Sequence, residues 1–316
     1  MYVPGKSRVG VRRQMEVSKI QSVYFPFKYN YIKVLRHTQQ LQWTEAVKIM
    51  LPQLQPSLPY LDLPNNNALE RVLEVGDYMM RSADQTLRKQ GYDNPEAKKS
   101  AREKYKAAYH LFQYAGRGNW SAAGLVGLLK SYKCLVALEK PKSALRYFQR
   151  LPEPAPGDRA YGLYWLLKAE LELVEKDYRA AMQASVNSLC FENKDIDTFP
   201  DALLISAQCY EELQEWHRAR DVYYEVARIF PGTDFAEMSI KRLRFIMKKK
   251  LTEGKEKIPI EYVFFRYKED MNEAVIELLK QIDEGKTKHF YDIEEVQGAD
   301  EGETEGDTLD LDVPDK

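Results

Sequence analysis

Apolar residues recur three and four positions apart over most of this 316-residue chain, and small residues interrupt them at a longer, nearly constant interval. The segment DALLISAQCYEELQEWHRARDVYYEVARIFPGT, residues 201–233, shows both periods. It predicts a first helix carrying Ala207 and Tyr210, a second carrying Trp216, Ala219 and Tyr223, and a stop at Pro231. Upstream, Trp165, Ala169, Tyr178 and Ala181 take the same order; before them come Ala144 with Phe148, and Tyr105, Ala108, Phe112 and Ala115. Residues Ala108, Ala144, Ala181 and Ala219 lie 36, 37 and 38 positions apart.

A unit of that length holds two helices of about a dozen residues and short turns. A small residue where two antiparallel helices come closest lets the backbones approach, and a large residue one turn later fills the adjoining groove. Such a pair cannot bury its apolar face alone, so it must stack on the next pair. Ala207, Tyr210, Trp216, Ala219, Tyr223 and Pro231 match the tetratricopeptide repeat pattern position by position, and the segment resembles that family. The unit before it keeps Trp165, Ala169, Tyr178 and Ala181 but has Asn193 in place of the closing proline. The one before that has Tyr132 where a small residue is expected, and residues 105–115 match in the second helix only. The resemblance, clearest over residues 95–250, implies an all-α, right-handed superhelix of antiparallel helix pairs.

Flanking segments extend the stack. Residues 65–90 start on an asparagine run and carry Leu69, Val72, Leu73, Val75 and Met79 at helical spacing. Residues 233–250 open on a Thr or Asp cap, residues 269–285 close at Gly285, and Trp43, Ala46 and Met50 suggest a second helix at 42–51. Residues 1–29 are basic, aromatic and β-branched with Pro4 and Pro26, which predicts an irregular, extended N-terminal arm. The expected organisation is an arm over 1–29, a solenoid over 30–290 and an acidic tail over 291–316. The tail carries eleven acids against Lys316, and no aromatic after Tyr291, which predicts disorder.

Charge is divided along the chain although the whole is nearly neutral, at −1. Residues 1–50 carry +7 and residues 291–316 carry −10. No run approaches the roughly 18 apolar residues that a membrane span requires. The opening MYVPGKSRVG has no apolar stretch of a signal peptide, which places the chain as it stands in the cytoplasm, or in the periplasm or outside the cell if a signal was removed. The junction FPGTDFAEMSIKRLRFI, residues 230–246, is also similar to repeat junctions of periplasmic cell-envelope assembly proteins, although the lipid-bearing cysteine of their lipoprotein members is absent. Cys134, Cys190 and Cys209 lack metal-site spacing and read as small apolar residues in a reducing compartment.

No phosphate loop, nucleophile elbow, zinc helix or dinucleotide fingerprint occurs. The histidines His37, His110, His217 and His289 are scattered, and Asp310, Asp312 and Asp315 lack the glycine and bidentate glutamate of a calcium loop. Neither catalysis nor a cofactor or metal is expected. The resemblance instead implies a concave groove lined by first helices, with Val126, Leu129 and Lys133, then Leu163, Leu166 and Glu170, then Leu204, Gln208 and Glu211. Running from apolar to acidic, that groove would suit an amphipathic or basic segment of a protein partner, within a larger complex. Leu166 and Leu204 stand where a carboxylate clamp would need lysine or asparagine, which disfavours that ligand. A rival reading takes the basic arm and the basic stretch 241–257 as a nucleic-acid footprint, with Tyr24, Phe25, Phe27, Tyr29 and Tyr31 for stacking.

Overall fold

The computed structural model describes residues 2–3, 11–12, 16, 19–63, 65–91, 93–117, 122–191, 198–252 and 271–285. The acidic tail at 291–316 and the lysines at 255 and 257 lie outside them. Apart from a two-residue antiparallel pairing of β1 (Tyr2–Val3) with β2 (Val11–Arg12), the regular elements described are helical. They begin with α1 (Tyr31–Gln39), α2 (Trp43–Leu54) and a 3-10 turn at Gln55–Tyr60. A long pair follows, α3 (Asn67–Gln90) and α4 (Pro95–Gly116), and then shorter pairs. These are α5 (Ala122–Ala137) with α6 (Pro141–Phe148), α7 (Tyr161–Val174) with α8 (Tyr178–Phe191), and α9 (Phe199–Glu212) with α10 (Trp216–Ile229). The stack closes with α11 (Asp234–Lys248) and α12 (Met271–Asp283).

Each helix packs on its successor, and the first helices α3, α5, α7, α9 and α11 also pack on one another in series. Among the described residues no comparably extensive contact joins successive second helices, so the row curves with the first helices inside. This is an all-α solenoid of stacked helix pairs.

The repeat is written in the turns as well. After a first helix a non-glycine residue takes a left-handed backbone at Leu41 (φ 56°), Glu139 (59°), Lys176 (63°), Gln214 (62°) and Lys250 (54°). The last four lie 37, 38 and 36 residues apart, which matches the alanine spacing. Each turn ties off the helix alike: Gln214 N–H donates to the Glu211 carbonyl at 3.0 Å and Glu215 N–H to that of Tyr210 at 2.8 Å. This pair of bonds satisfies carbonyls that a helix end leaves without partners.

The aligned small residues do what their spacing requires: Ala108, Ala144, Ala169, Ala181, Ala207 and Ala219 are wholly buried, and Tyr223 nearly so. In the long first pair the small residue is Gly76, where an added Cβ would stand 2.4 Å from the Phe112 ring. Likewise a Cβ on Gly127 would meet the Ala115 Cβ at 2.9 Å and the Phe112 carbonyl oxygen at 3.1 Å, so α4 and α5 touch backbone to backbone. Trp43, Ala46 and Met50 are buried on α2 as their spacing suggests. At the far end Gly285 (φ 66°) closes α12, and buried Arg220 reaches Asp221 Oδ1 (2.7 Å) and Asn272 Oδ1 (2.7 Å), joining α10 to α12.

In the arm, residues 21–29 form neither helix nor strand apart from an isolated bridge between Val23 and Asn66; Val23 is buried and Phe25, Phe27 and Tyr29 pack on the core, while Tyr24 is 78% exposed. The asparagine run holds it. Asn66 caps α3 through the Ala68 N–H, while Asn67 accepts from the Phe25 N–H (2.8 Å) and donates to the Phe25 carbonyl (3.0 Å). Asn65 donates to the Gln21 carbonyl at 2.9 Å.

Candidate functional site

The inner row of first helices carries charge at one level of the stack. Asp77 follows Gly76 on α3 as Glu170 follows Ala169 on α7 and Gln208 follows Ala207 on α9; Lys133 holds this level on α5. Helical geometry turns these positions to one face, because each follows the residue that faces the second helix, small on α3, α7 and α9 and Tyr132 on α5. Lys133 Nζ stands 2.7 Å from Asp201 Oδ2 and 3.1 Å from Glu170 Oε1, and so links α5, α7 and α9. One turn earlier on α5, Lys130 Nζ meets Asp77 Oδ2 of α3 at 2.5 Å. Asp84 on α3 accepts from the Tyr105 hydroxyl, and Arg88, in the last turn of α3, pairs with Asp234 in the first turn of α11. That last pair spans the row from its first described long helix to its fifth.

These groups shape one another's protonation. Burial drives the Glu170 carboxyl above the usual carboxylate range, with the Lys133 ammonium opposing the rise and Asp201 adding to it. Burial likewise raises Asp84, against the Tyr105 hydrogen bond and the Arg88 charge. For Lys133 burial acts to lower the ammonium, yet Asp201 and Glu170 together overcome it and leave it well above the usual lysine range. The lysine is thus a fixed cation at every physiological pH. Side-chain exposures of 23%, 18% and 29% for Lys133, Glu170 and Asp201 place the cluster where solvent still reaches it.

The predicted apolar lining is placed differently. Val126, Leu129, Leu163, Leu166 and Leu204 are at most 6% exposed and belong to the packed core, so they are not open groove surface. The reason is the tight curvature: successive first helices touch, and side chains that an open groove would display are used in that contact. Of the expected set, Lys133 and Glu170 come together, Gln208 is exposed, and Glu211 accepts from the Tyr223 hydroxyl (2.8 Å) and from Arg242 Nε (3.0 Å). The repeat residues Trp165, Tyr178, Tyr210 and Pro231 are half-buried at the helix junctions.

Asp77, Asp84, Arg88, Asp201 and Asp234 were absent from the expected lining. Gly76 followed directly by Asp77 was the available signal, because it reproduces the small-then-polar order of Ala169–Glu170 and Ala207–Gln208. A second concavity, an open cleft of about 680 Å³, lies between α8 and the α9–α10 turn. Met182, Val186, Tyr210 and Leu213 line it between Arg179 and Glu215. Among the described residues no cluster of His, Cys, Asp and Glu could hold a metal ion, and no helix is long and apolar enough to cross a membrane.

Comparison with known families matches residues 201–233, the α9–α10 pair, to the tetratricopeptide repeat. No curated protein matches the chain.

Proposed function

We propose that the chain, whose residues 201–233 match the tetratricopeptide repeat, is a non-catalytic scaffold that holds a segment of a protein partner against the inner face of its helix row, within a larger assembly. The observation that carries this reading is the Asp77, Lys130–Lys133, Glu170–Asp201, Gln208 series, which offers a partner a polar strip with fixed alternating charge. Such a strip selects by charge register more than by apolar area, since mispaired like charges are costly. Arg242 and Arg244, counted toward a nucleic-acid footprint in the sequence, are engaged with Glu211 and Asp283, which favours the protein reading.

The test is affinity capture from the native source with the wild-type chain beside Gln208→Lys, an exposed change that leaves the core untouched. A protein retained by wild type and lost from Gln208→Lys, at equal helical content by circular dichroism, supports the inner face as the site. Equal retention by both chains refutes it.

A further inference from the structure

The N-terminal end of the stack presents a surface that the inner-face reading does not use. Along the arm and α1, the rings of Phe25, Phe27, Tyr29 and Tyr31 follow one another with centroids 6.1–6.5 Å apart. Beside this ladder α1 turns Ile32 (65% exposed) and Leu35 (40%) to solvent, one helical turn apart. The first three rings pack on the core, and the end of a solenoid is ordinarily covered by polar residues, so exposed Tyr31, Ile32 and Leu35 there point to a covering segment.

The electrostatics say what kind of segment. From residue 17 to residue 44 the sequence has no acid, while Lys28, Lys33 and Arg36 lie among the exposed apolar side chains. Among the described residues none of these three cations has an acidic partner within salt-bridge distance. The fitting ligand is therefore an extended peptide that alternates aliphatic and acidic residues.

The chain itself contains such a peptide. Residues 307–315 read DTLDLDVPD, in which Leu309, Leu311 and Val313 alternate with Asp310 and Asp312. In an extended conformation the aliphatic residues share one face and the acids the other. No lysine or arginine lies between Lys288 and Lys316, so Lys316 at its end is the one cation close in sequence to the segment's four aspartates. The 21 residues from 286 to 306 reach up to about 70 Å when extended. The Arg88–Asp234 pair joins α11 to the C-terminal end of α3, and the arm is docked at the N-terminal end, about 30 Å along the helix and within that reach. We infer that residues 307–315 dock intramolecularly on the strip formed by the arm and α1, with Leu309, Leu311 and Val313 against Ile32 and Leu35 and the aspartates beside Lys28, Lys33 and Arg36.

Hydrogen–deuterium exchange on the full chain tests this. Leu309→Ser, Leu311→Ser and Val313→Ser, made together, leave every described contact intact. The expected result is several-fold faster exchange over residues 21–36 than in wild type, with α7 to α10 unchanged. Raising the salt concentration should speed that exchange in wild type and not in the variant. Carbodiimide, which joins a lysine amine to a carboxylate with loss of water, should link Lys28 or Lys33 to Asp310 or Asp312 within the monomer. Identical exchange over 21–36 in the two chains overturns the inference. So does protection that grows with protein concentration, since it would seat the segment on a second copy.

Discussion

Replacing Lys133 by methionine removes the cation that bridges Asp201 and Glu170. At 2.7 and 3.1 Å the two ion pairs are worth roughly 6 and 5 kcal/mol of Coulomb energy in a medium of effective dielectric about 20, before solvation is counted. Breaking a fully buried pair costs about 3–5 kcal/mol and an exposed one about 0–1 kcal/mol. With 18–29% of each side chain exposed, Lys133→Met should cost about 2–3 kcal/mol. Urea denaturation followed by circular dichroism reads this directly. Adding Glu170→Met and Asp201→Asn to Lys133→Met should return stability to within about 1 kcal/mol of wild type, because no unpaired charge then remains. The pH dependence has a definite sign. Without the lysine the native Glu170 carboxyl rises further above its unfolded value, so the native state binds more protons. The variant therefore gains stability as pH falls from neutrality, the gain being complete below the ordinary carboxylate range, and its deficit against wild type shrinks. A cost below about 0.5 kcal/mol, the size of an ordinary surface change, or a deficit that stays constant between pH 7 and pH 5, would refute the reasoning.

Other expectations follow from single contacts. Gly127→Ala should destabilise by about 1–2 kcal/mol in the same assay, although alanine favours a helix by about 1 kcal/mol, because its Cβ strikes the backbone of α4. Gln214→Val should cost about 1–2 kcal/mol, since a β-branched residue is strained at φ 62°, and a loss no greater than that of Gln208→Val would contradict the turn assignment. With a disulfide reagent near pH 8, native protein should react quickly at one of its three thiols. Cys190 is exposed, whereas burial pushes Cys209 up to about 11 and Cys134 higher still; all three should react in urea. Asn67→Ala should speed amide exchange at Phe25, whose main chain it clamps, and leave α9 and α10 unaffected.

The helix pairs were legible because their spacing is a packing constraint. Ala144, Ala181 and Ala219 must be small where two backbones meet, and the turns at Glu139, Lys176 and Gln214 keep the same register. The first pair was harder to read because α3 and α4 are 24 and 22 residues long, which carries Gly76 32 positions from Ala108 and hides the short-hairpin pattern. The inner face was legible only in its charges. Leu129, Leu166 and Leu204 have the same helical spacing whether they floor an open groove or fill a contact between first helices. Only the curvature of the row decides between those fates, and curvature is a sum over every interface in the stack. The asparagine run showed a similar ambiguity: it starts α3 as the sequence suggests, and it also clamps an arm more than 40 residues away, which local pattern cannot reveal.

The central claim is that a partner segment lies on the inner face. A photo-crosslinking amino acid placed at Gln208, on that face, and in a second chain at Val186, in the outer cleft, tests it most directly in the native source. The account predicts one crosslinked partner from position 208 and none of that partner from position 186. Crosslinking of the partner from 186 alone would put the binding surface in the outer cleft and contradict it.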